Sequence, residues 1–366
     1  MRAVAPPCCD SLRLALPTAA TAEVSSRHIS VWSAVCVLIV AAGCVHPAAA
    51  FRCSSSEQCT GGGICQPTGF CSFDDPACAS GQRYGAASGD LGGVCVGSEP
   101  GAPPHCDPAR PFGAAVLVEG LASATEDASL RLSPDERTGY FFSARSGSKL
   151  LYTTMRARVT APFSGVSVLA NVNSGNQYNP VISADGLTLF FASFRAGGAG
   201  DNDIYQATRT AQGDDFTNIR LAPNVNTSAS EVQPYLNREN TTLYFVRTVS
   251  TAQVIFRAMG SVTAGFANPS PVAELHGPTN DTDPVVSADG LTVFWGSDRP
   301  GGMGDVDVWQ AQRATPDGGF GPPAPVGSVN TPGFDSPSDV SADGCRLYLT
   351  STRGGRTGIY VATRPP

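Results

Sequence analysis

The chain has 366 residues, enough for one large core or two modest ones, a net charge of −7 and only 15% charged residues. That balance excludes the clustered basic surface that nucleic-acid binding needs, so no such partner is expected. Arginine outnumbers lysine 23 to one, a bias read here as compositional rather than functional.

Residues 1–43 read as an N-terminal extension and signal peptide. Arg27-His28 precede VWSAVCVLIVAAG at 31–43, an apolar run too short to cross a bilayer but suited to a signal core. The long polar stretch before Arg27 is unusual for a signal and is compatible with a later true start. Two cleavages compete. AAGC at 41–44 resembles a bacterial lipobox, which makes Cys44 the lipidated mature N-terminus, although the preferred leucine is missing; the alternative cuts after Ala48-Ala49-Ala50. Lipidation is favoured. Either route exports the protein, and an outer-membrane lipoprotein facing the periplasm or cell surface is expected, touching membrane only through the lipid.

Eleven of the twelve cysteines precede residue 107. Residues 44–98 form a cysteine-rich module in which Cys53, Cys59, Cys65, Cys71, Cys78 and Cys95 are expected to be disulfide-bonded. The C-x2-C pairs and histidines of a zinc site are missing, and a small Gly-rich exported segment needs bridges in place of a core. Connectivity is not readable from spacing. A Pro/Gly-rich linker, 99–111, carries Cys106. Cys345 stands where the neighbouring copies have Leu187 and Leu291, and is expected to be a buried free thiol.

Beyond the linker, SADGLTLFFASFR (183–195), SADGLTVFWGSDR (287–299) and SADGCRLYLTSTR (341–353) repeat one another, with weaker copies from 133 and 237. The starts are spaced alternately by 50 and 54 residues, a period that implies a repeat architecture. Each copy opens on an aromatic residue (Phe112, Phe163, Phe216, Phe266, Phe320) and continues through a strand into Ser-Ala-Asp-Gly. There Asp-Gly is expected to close a two-residue hairpin. A second apolar strand, a Gly-rich loop and a third strand follow. Helical periodicity is lacking. Four strands per repeat and five repeats predict an all-β fold at 112–366: a five-bladed β-propeller of four-stranded blades, closed by the Phe112 segment joining the last blade.

The pattern from Pro180 to Tyr205, and again from Pro284 to Trp309, resembles the WD-like propeller repeat of the TolB family, whose members serve as periplasmic partners of a peptidoglycan-associated lipoprotein. The resemblance spans about 112–366 and implies the fold more strongly than the role, because the α/β domain that precedes the TolB propeller is replaced by the cysteine module. That module is itself similar to short cysteine modules of bacterial surface lipoproteins.

Catalytic sets are scarce. His276 is the one histidine in the repeats, and no nucleophile elbow, P-loop or dinucleotide fingerprint occurs. Asp201, Asp203, Asp305 and Asp307 lack the spacing of a calcium loop. No enzyme activity, metal or cofactor is expected. One constellation recurs: an acid or amide six residues before each repeat's serine position (Asp127, Gln177, Glu231, Asp281, Asp335) and an arginine twelve after it (Arg145, Arg195, Arg299, Arg353). The two positions should meet at one end of the blade, opposite Asp203 and Asp307. They form either a partner-binding face with the loops 196–202 and 300–306, or ion pairs pinning each hairpin. The first reading makes the protein a monomeric, non-catalytic module for a protein or peptide of the cell envelope. A glycan-binding or glycosidase-like propeller is the alternative.

Overall fold

This computed structural model describes residues 51–75, 78, 80–88, 91–97 and 106–366. The signal segment, Cys44 and linker residues 99–105 lie outside the described residues. Among the described residues no helix is long and apolar enough to cross a membrane.

The cysteine module contains β1 (Ile64–Cys65), β2 (Cys71–Asp74) and β3 (Gln82–Tyr84) in one antiparallel sheet. Its bridges are Cys53–Cys65, Cys59–Cys71 and Cys78–Cys95. The buried cluster is Cys53, Cys59 and Cys71, with Cys65 and Phe73 packed against it. Covalent links thus do what apolar burial cannot do in so small a piece.

The rest is all-β. After β4 (Val116–Leu117), the first sheet is β5 (Asp127–Leu132), β6 (Thr138–Ser143), β7 (Leu150–Met155) and β8 (Ser164–Val168). The second is β9 (Gln177–Ile182), β10 (Thr188–Ser193), β11 (Asp203–Thr208) and β12 (Thr217–Leu221). The third is β13 (Glu231–Leu236), β14 (Thr242–Val249), β15 (Ala252–Ser261) and β16 (Gly265–Pro271). The fourth is β17 (Asp281–Val286), β18 (Thr292–Ser297), β19 (Asp307–Gln312) and β20 (Ala324–Pro325). The last joins β21 (Asp335–Val340), β22 (Arg346–Ser351) and β23 (Gly358–Thr363) to β4.

Each sheet is antiparallel, and its first strand packs against the first strands of the sheets before and after it, β21 closing onto β5. This is the layout of a β-propeller. It explains why second strands such as TLFFAS are apolar without alternation: β10 is buried along its whole length, covered on both faces by neighbouring sheets. Outer strands such as β8 are largely exposed. The five repeat aromatics, Phe112, Phe163, Phe216, Phe266 and Phe320, are all buried.

Two expectations need correction. The Ser-Ala-Asp-Gly turn is not a two-residue Asp-Gly hairpin. Gly186 N–H donates to Ser183 O at 2.8 Å, so Ala184-Asp185 form the centre and Gly186 follows at φ +73°. The serine and aspartate side chains make the difference. Ser183 Oγ donates to Asp185 Oδ1 and accepts from Thr188 N–H, while Leu187 N–H donates to the same Asp185 oxygen.

Nor is Cys345 free; it is bridged to Cys106. The linker end runs along the last sheet, with Asp107 N–H on Pro365 O at 3.0 Å and Gly113 N–H on Thr363 O at 2.8 Å. That path carries Cys106 to Cys345 and delivers β4 to β23, where Val116 pairs with Val361 and Leu117 with Tyr360.

Candidate functional site

The sheets have two ends, a turn end at the Ser-Ala-Asp-Gly connections and a loop end at the Gly-rich segments. The recurring acids begin the first strands at the loop end, and the structure brings the arginines to them. Arg145 lies 2.8 Å from Asp127, Arg299 2.5 Å from Asp281 and Arg353 2.8 Å from Asp335. The register accounts for this: Asp281 pairs with Ser297 across the hairpin, and Arg299 folds back over Ser297 Oγ at 2.9 Å. Each arginine also donates to a backbone carbonyl, Leu121, Leu275 or Val329. Aromatic rings lie under the guanidinium, Trp295 and Trp309 at 5.0 and 5.3 Å from that of Arg299.

The acids are buried, Asp281 being 0% exposed, so they offer no surface to a partner. The pinning alternative describes them. The second sheet departs from the others because Gln177 replaces the acid and bonds Ser174 and Ser193 instead. Arg195 is left with Ser193 Oγ and Val172 O, and burial lowers its pKa. The third sheet has its arginine after all. Arg247 sits directly opposite Glu231 at 2.7 Å, two residues nearer in sequence than the other pairs, so a fixed-offset search missed it.

Asp203 and Asp307 lie at this end, paired across the hairpin with Ser193 and Ser297, and each caps its own loop. Asp203 Oδ2 accepts from Ala199 and Gly200 N–H, and Asp307 Oδ2 from Met303 and Gly304 N–H. The glycines follow from this: a Cβ on Gly198 would stand 2.0 Å from the Asp203 carboxylate, and one on Gly302 1.9 Å from that of Asp307. Burial raises the pKa of Asp203. Outside stand two apolar side chains, Phe194 at 66% and Met303 at 57% exposure, alongside the exposed acids Asp201 and Asp305.

Arginine has a second structural station at the turn end. Arg209 Nε donates to Gly186 O, Arg313 Nε to Gly290 O and Arg364 Nε to Gly344 O. Their guanidinium groups cover Phe216, Phe320 and Phe112 at 4.5, 4.4 and 4.0 Å. The arginine bias therefore has structural work at both ends, which the compositional reading overlooked.

The axis holds what the repeats do not share. The third residues of the first strands are Ser129, Asn179, Gln233, Asp283 and Pro337, and the fifth are Arg131, Val181, Tyr235, Val285 and Asp339. A one-residue bulge lies between these levels in every first strand. Ser129, Asn179, Gln233 and Asp283 take positive φ there. Side chains bridge the axis: Asn179 Nδ2 reaches Ser129 Oγ at 2.9 Å and Asp283 Oδ1 at 3.5 Å, and Ser336 Oγ donates to Asp283 Oδ2 at 2.8 Å. Burial pushes Asp283 and Asp339 up to about 6. Sequence periodicity passed over this cluster because it consists of departures from the repeat.

No family model matches the chain, and no curated protein matches it. Among solved structures, TolB from Acinetobacter baumannii is similar over 67% of this chain at 15% identity and a TM-score of 0.42. The chain spans 57% of that protein's length. A thermostable family-43 glycoside hydrolase is similar over 68% of this chain and 91% of its own, at 13% identity and a TM-score of 0.49. The endo-arabinase from Bacteroides thetaiotaomicron VPI-5482 is similar over 69% of this chain and 98% of its own, at 15% identity and a TM-score of 0.45.

Proposed function

We propose that the protein is an exported β-propeller of five blades, anchored to the cell envelope through lipidated Cys44, that binds a protein or peptide partner as a monomer and without catalysis. The observation that carries the non-catalytic reading is the commitment of its carboxylates. The repeated acids are buried, four against arginine, and the axial pair Asp283 and Asp339 accept hydrogen bonds from Asn179, Ser336, Leu132 and Val340. Glycoside hydrolysis needs two carboxyl groups free to flank a bond. Export is supported by four disulfides among the described residues, a density typical of oxidising compartments. Partner contact is assigned to the loop end, where capped, rigid loops present Phe194 and Met303.

Crosslinking in the intact envelope tests this. Phe194→Ser with Met303→Ser should lose the retained partner while the melting temperature holds. Retention undiminished would overturn the assigned face, and a mature N-terminus at Phe51 without fatty-acid label would overturn the anchor.

A second reading rests on Asp283 and Asp339 themselves. They are unique to their sheets and pushed up to about 6, the range of a general acid. Polysaccharide cleavage abolished by Asp283→Asn and by Asp339→Asn would favour a glycan-active propeller.

A further inference from the structure

Three ionisable side chains converge on the axis from different sheets: Arg131 from β5, Asp283 from β17 and Asp339 from β21. Arg131 is 1% exposed, and its guanidinium makes no hydrogen bond. Its charge is answered through the fields of Asp339 and Asp283. Two carboxylates thus face one guanidinium, and the fully ionised cluster carries a surplus negative charge.

The other first strands do not supply the missing cation. β9 brings the neutral Asn179 and Val181, and β13 brings Gln233 and Tyr235. The Tyr235 ring covers the guanidinium at 4.9 Å, its hydroxyl donates to Val286 O at 2.7 Å, and burial pushes its pKa up, so it stays neutral. Arg238, in the turn after β13, acts on Asp339 from a half-buried position where water screens it. Compensation is left to protons. A cavity of about 40 Å³ at the turn end, lined by Arg131, Tyr235, Asp339 and Arg238, has room for the water that delivers them.

Each carboxylate also ties sheets together. Asp339, on the last sheet, accepts Leu132 N–H of the first at 2.7 Å and the adjacent Val340 N–H at 2.8 Å. Asp283, on the fourth, accepts Asn179 Nδ2 of the second at 3.5 Å and Ser336 Oγ of the last at 2.8 Å. A hydrogen bond to a charged acceptor is roughly twice as strong as one to a neutral group, so a proton on either acid weakens these ties.

We propose that Asp283, Arg131 and Asp339 form a proton-operated switch on the axis, in which acidification neutralises both acids and slackens their bonds to the first, second and last sheets. Burial holds both carboxyls up at about 6, so the switch turns between neutral and mildly acidic surroundings. One guanidinium less two carboxylates leaves −1 above that range, and the guanidinium alone leaves +1 below it. Arg131 is a positioning residue: its field sets both acids lower than burial alone would. The same protons relieve the desolvation of two charges, so the local ties and the global stability move in opposite directions. The switch needs neither the partner at the loop end nor a catalytic role.

The test titrates the full exported chain, with labelled aspartate, from about pH 8 to pH 4 through its carboxyl-carbon and amide resonances. Asp283 and Asp339 should show apparent midpoints near 6. The Leu132 and Val340 amide protons should move upfield along the Asp339 curve as their acceptor loses its charge. Arg131→Met should raise both midpoints by about one pH unit or more, and Arg131→Lys should leave them near wild type. An arginine that only fills space would change the melting temperature and leave the midpoints alone. If the methionine variant does not fold, Asp283→Asn decides: it should erase one titration and keep the Asp339 curve with its Leu132 response. Carboxyls that titrate below about pH 5, a Leu132 amide indifferent to the Asp339 transition, or midpoints unmoved in folded Arg131→Met would overturn the switch.

Discussion

Arg346 of the last sheet donates to both carboxylate oxygens of Glu136 in the first, at 3.0 and 2.7 Å, across a separation of 210 residues. Glu136 occupies the position that is glycine in three sister turns, and it takes φ +55° to do so. Arg156 Nη2 and Tyr348 Oη donate to the same carboxylate. The strained turn is tolerated because its side chain fastens the first sheet to the last.

Glu136→Gln should therefore be costly. It leaves Arg346 and Arg156 buried against a neutral amide, and about 3–5 kcal/mol of stability should be lost. Glu136→Gly relieves the backbone by about 1 kcal/mol but removes the same charge, so it should still melt below wild type. Thermal denaturation decides; a glycine variant as stable as wild type would mean the clasp contributes no more than the roughly 1 kcal/mol that the strained backbone costs.

The Cys106–Cys345 bridge closes a sequence separation of 239 residues. Replacing both cysteines by serine should cost up to about 5 kcal/mol on a chain-entropy argument. The sheets should remain folded, since β4 still pairs with β23. Melting with and without reductant, on the double-serine variant, separates this bridge from the three in the module.

Loop glycines should fall into two classes. Gly198→Ala and Gly302→Ala drive a methyl into the Asp203 or Asp307 carboxylate and should cost about 1–3 kcal/mol. Gly213→Ala meets no atom within 4 Å and should be neutral. Equal effects at all three would refute the carboxylate-cap account of the Gly-rich loops.

The loop-end arginines should also differ among themselves. Arg299→Gln strands the buried Asp281 carboxylate, whereas Arg195→Gln faces the neutral Gln177. The first should be the more destabilising by about 2 kcal/mol or more. Matching losses would show that stacking and carbonyl bonds, not the ion pair, hold this end together.

Stability should depend on pH through the axis. Asp283 and Asp339 titrate near 6 in the folded chain, above the ordinary 3.8, because burial penalises their charged forms. Their contribution is thus complete below about pH 4 and is lost as pH rises through about 6. Asp343, lowered by Arg346 and its hydrogen bonds against the opposing effect of burial, works the other way and loses its contribution in acid below that window. Chemical denaturation between pH 4 and 7 should show stability falling with pH, and Asp283→Asn with Asp339→Asn should flatten the slope.

Much of this was legible in the chain alone. The alternating spacing of the Ser-Ala-Asp-Gly copies located the hairpins, because antiparallel pairing joins residues close in sequence and repeats itself wherever the pattern does. For the same reason the acid and arginine offsets marked side chains that do meet, Asp281 with Arg299 and Asp335 with Arg353. Spacing does not report burial, however. Only packing against neighbouring sheets turned those acids from a surface into internal pins, and only the bulged register revealed Arg247 opposite Glu231. The partner of Cys345 comes from the linker, 239 residues away in sequence, while the clasp of Glu136 on Arg346 and the convergence of Arg131, Tyr235, Asp283 and Asp339 join residues from different sheets. Such contacts exist only once the ring has closed, and a periodic pattern carries no term for them.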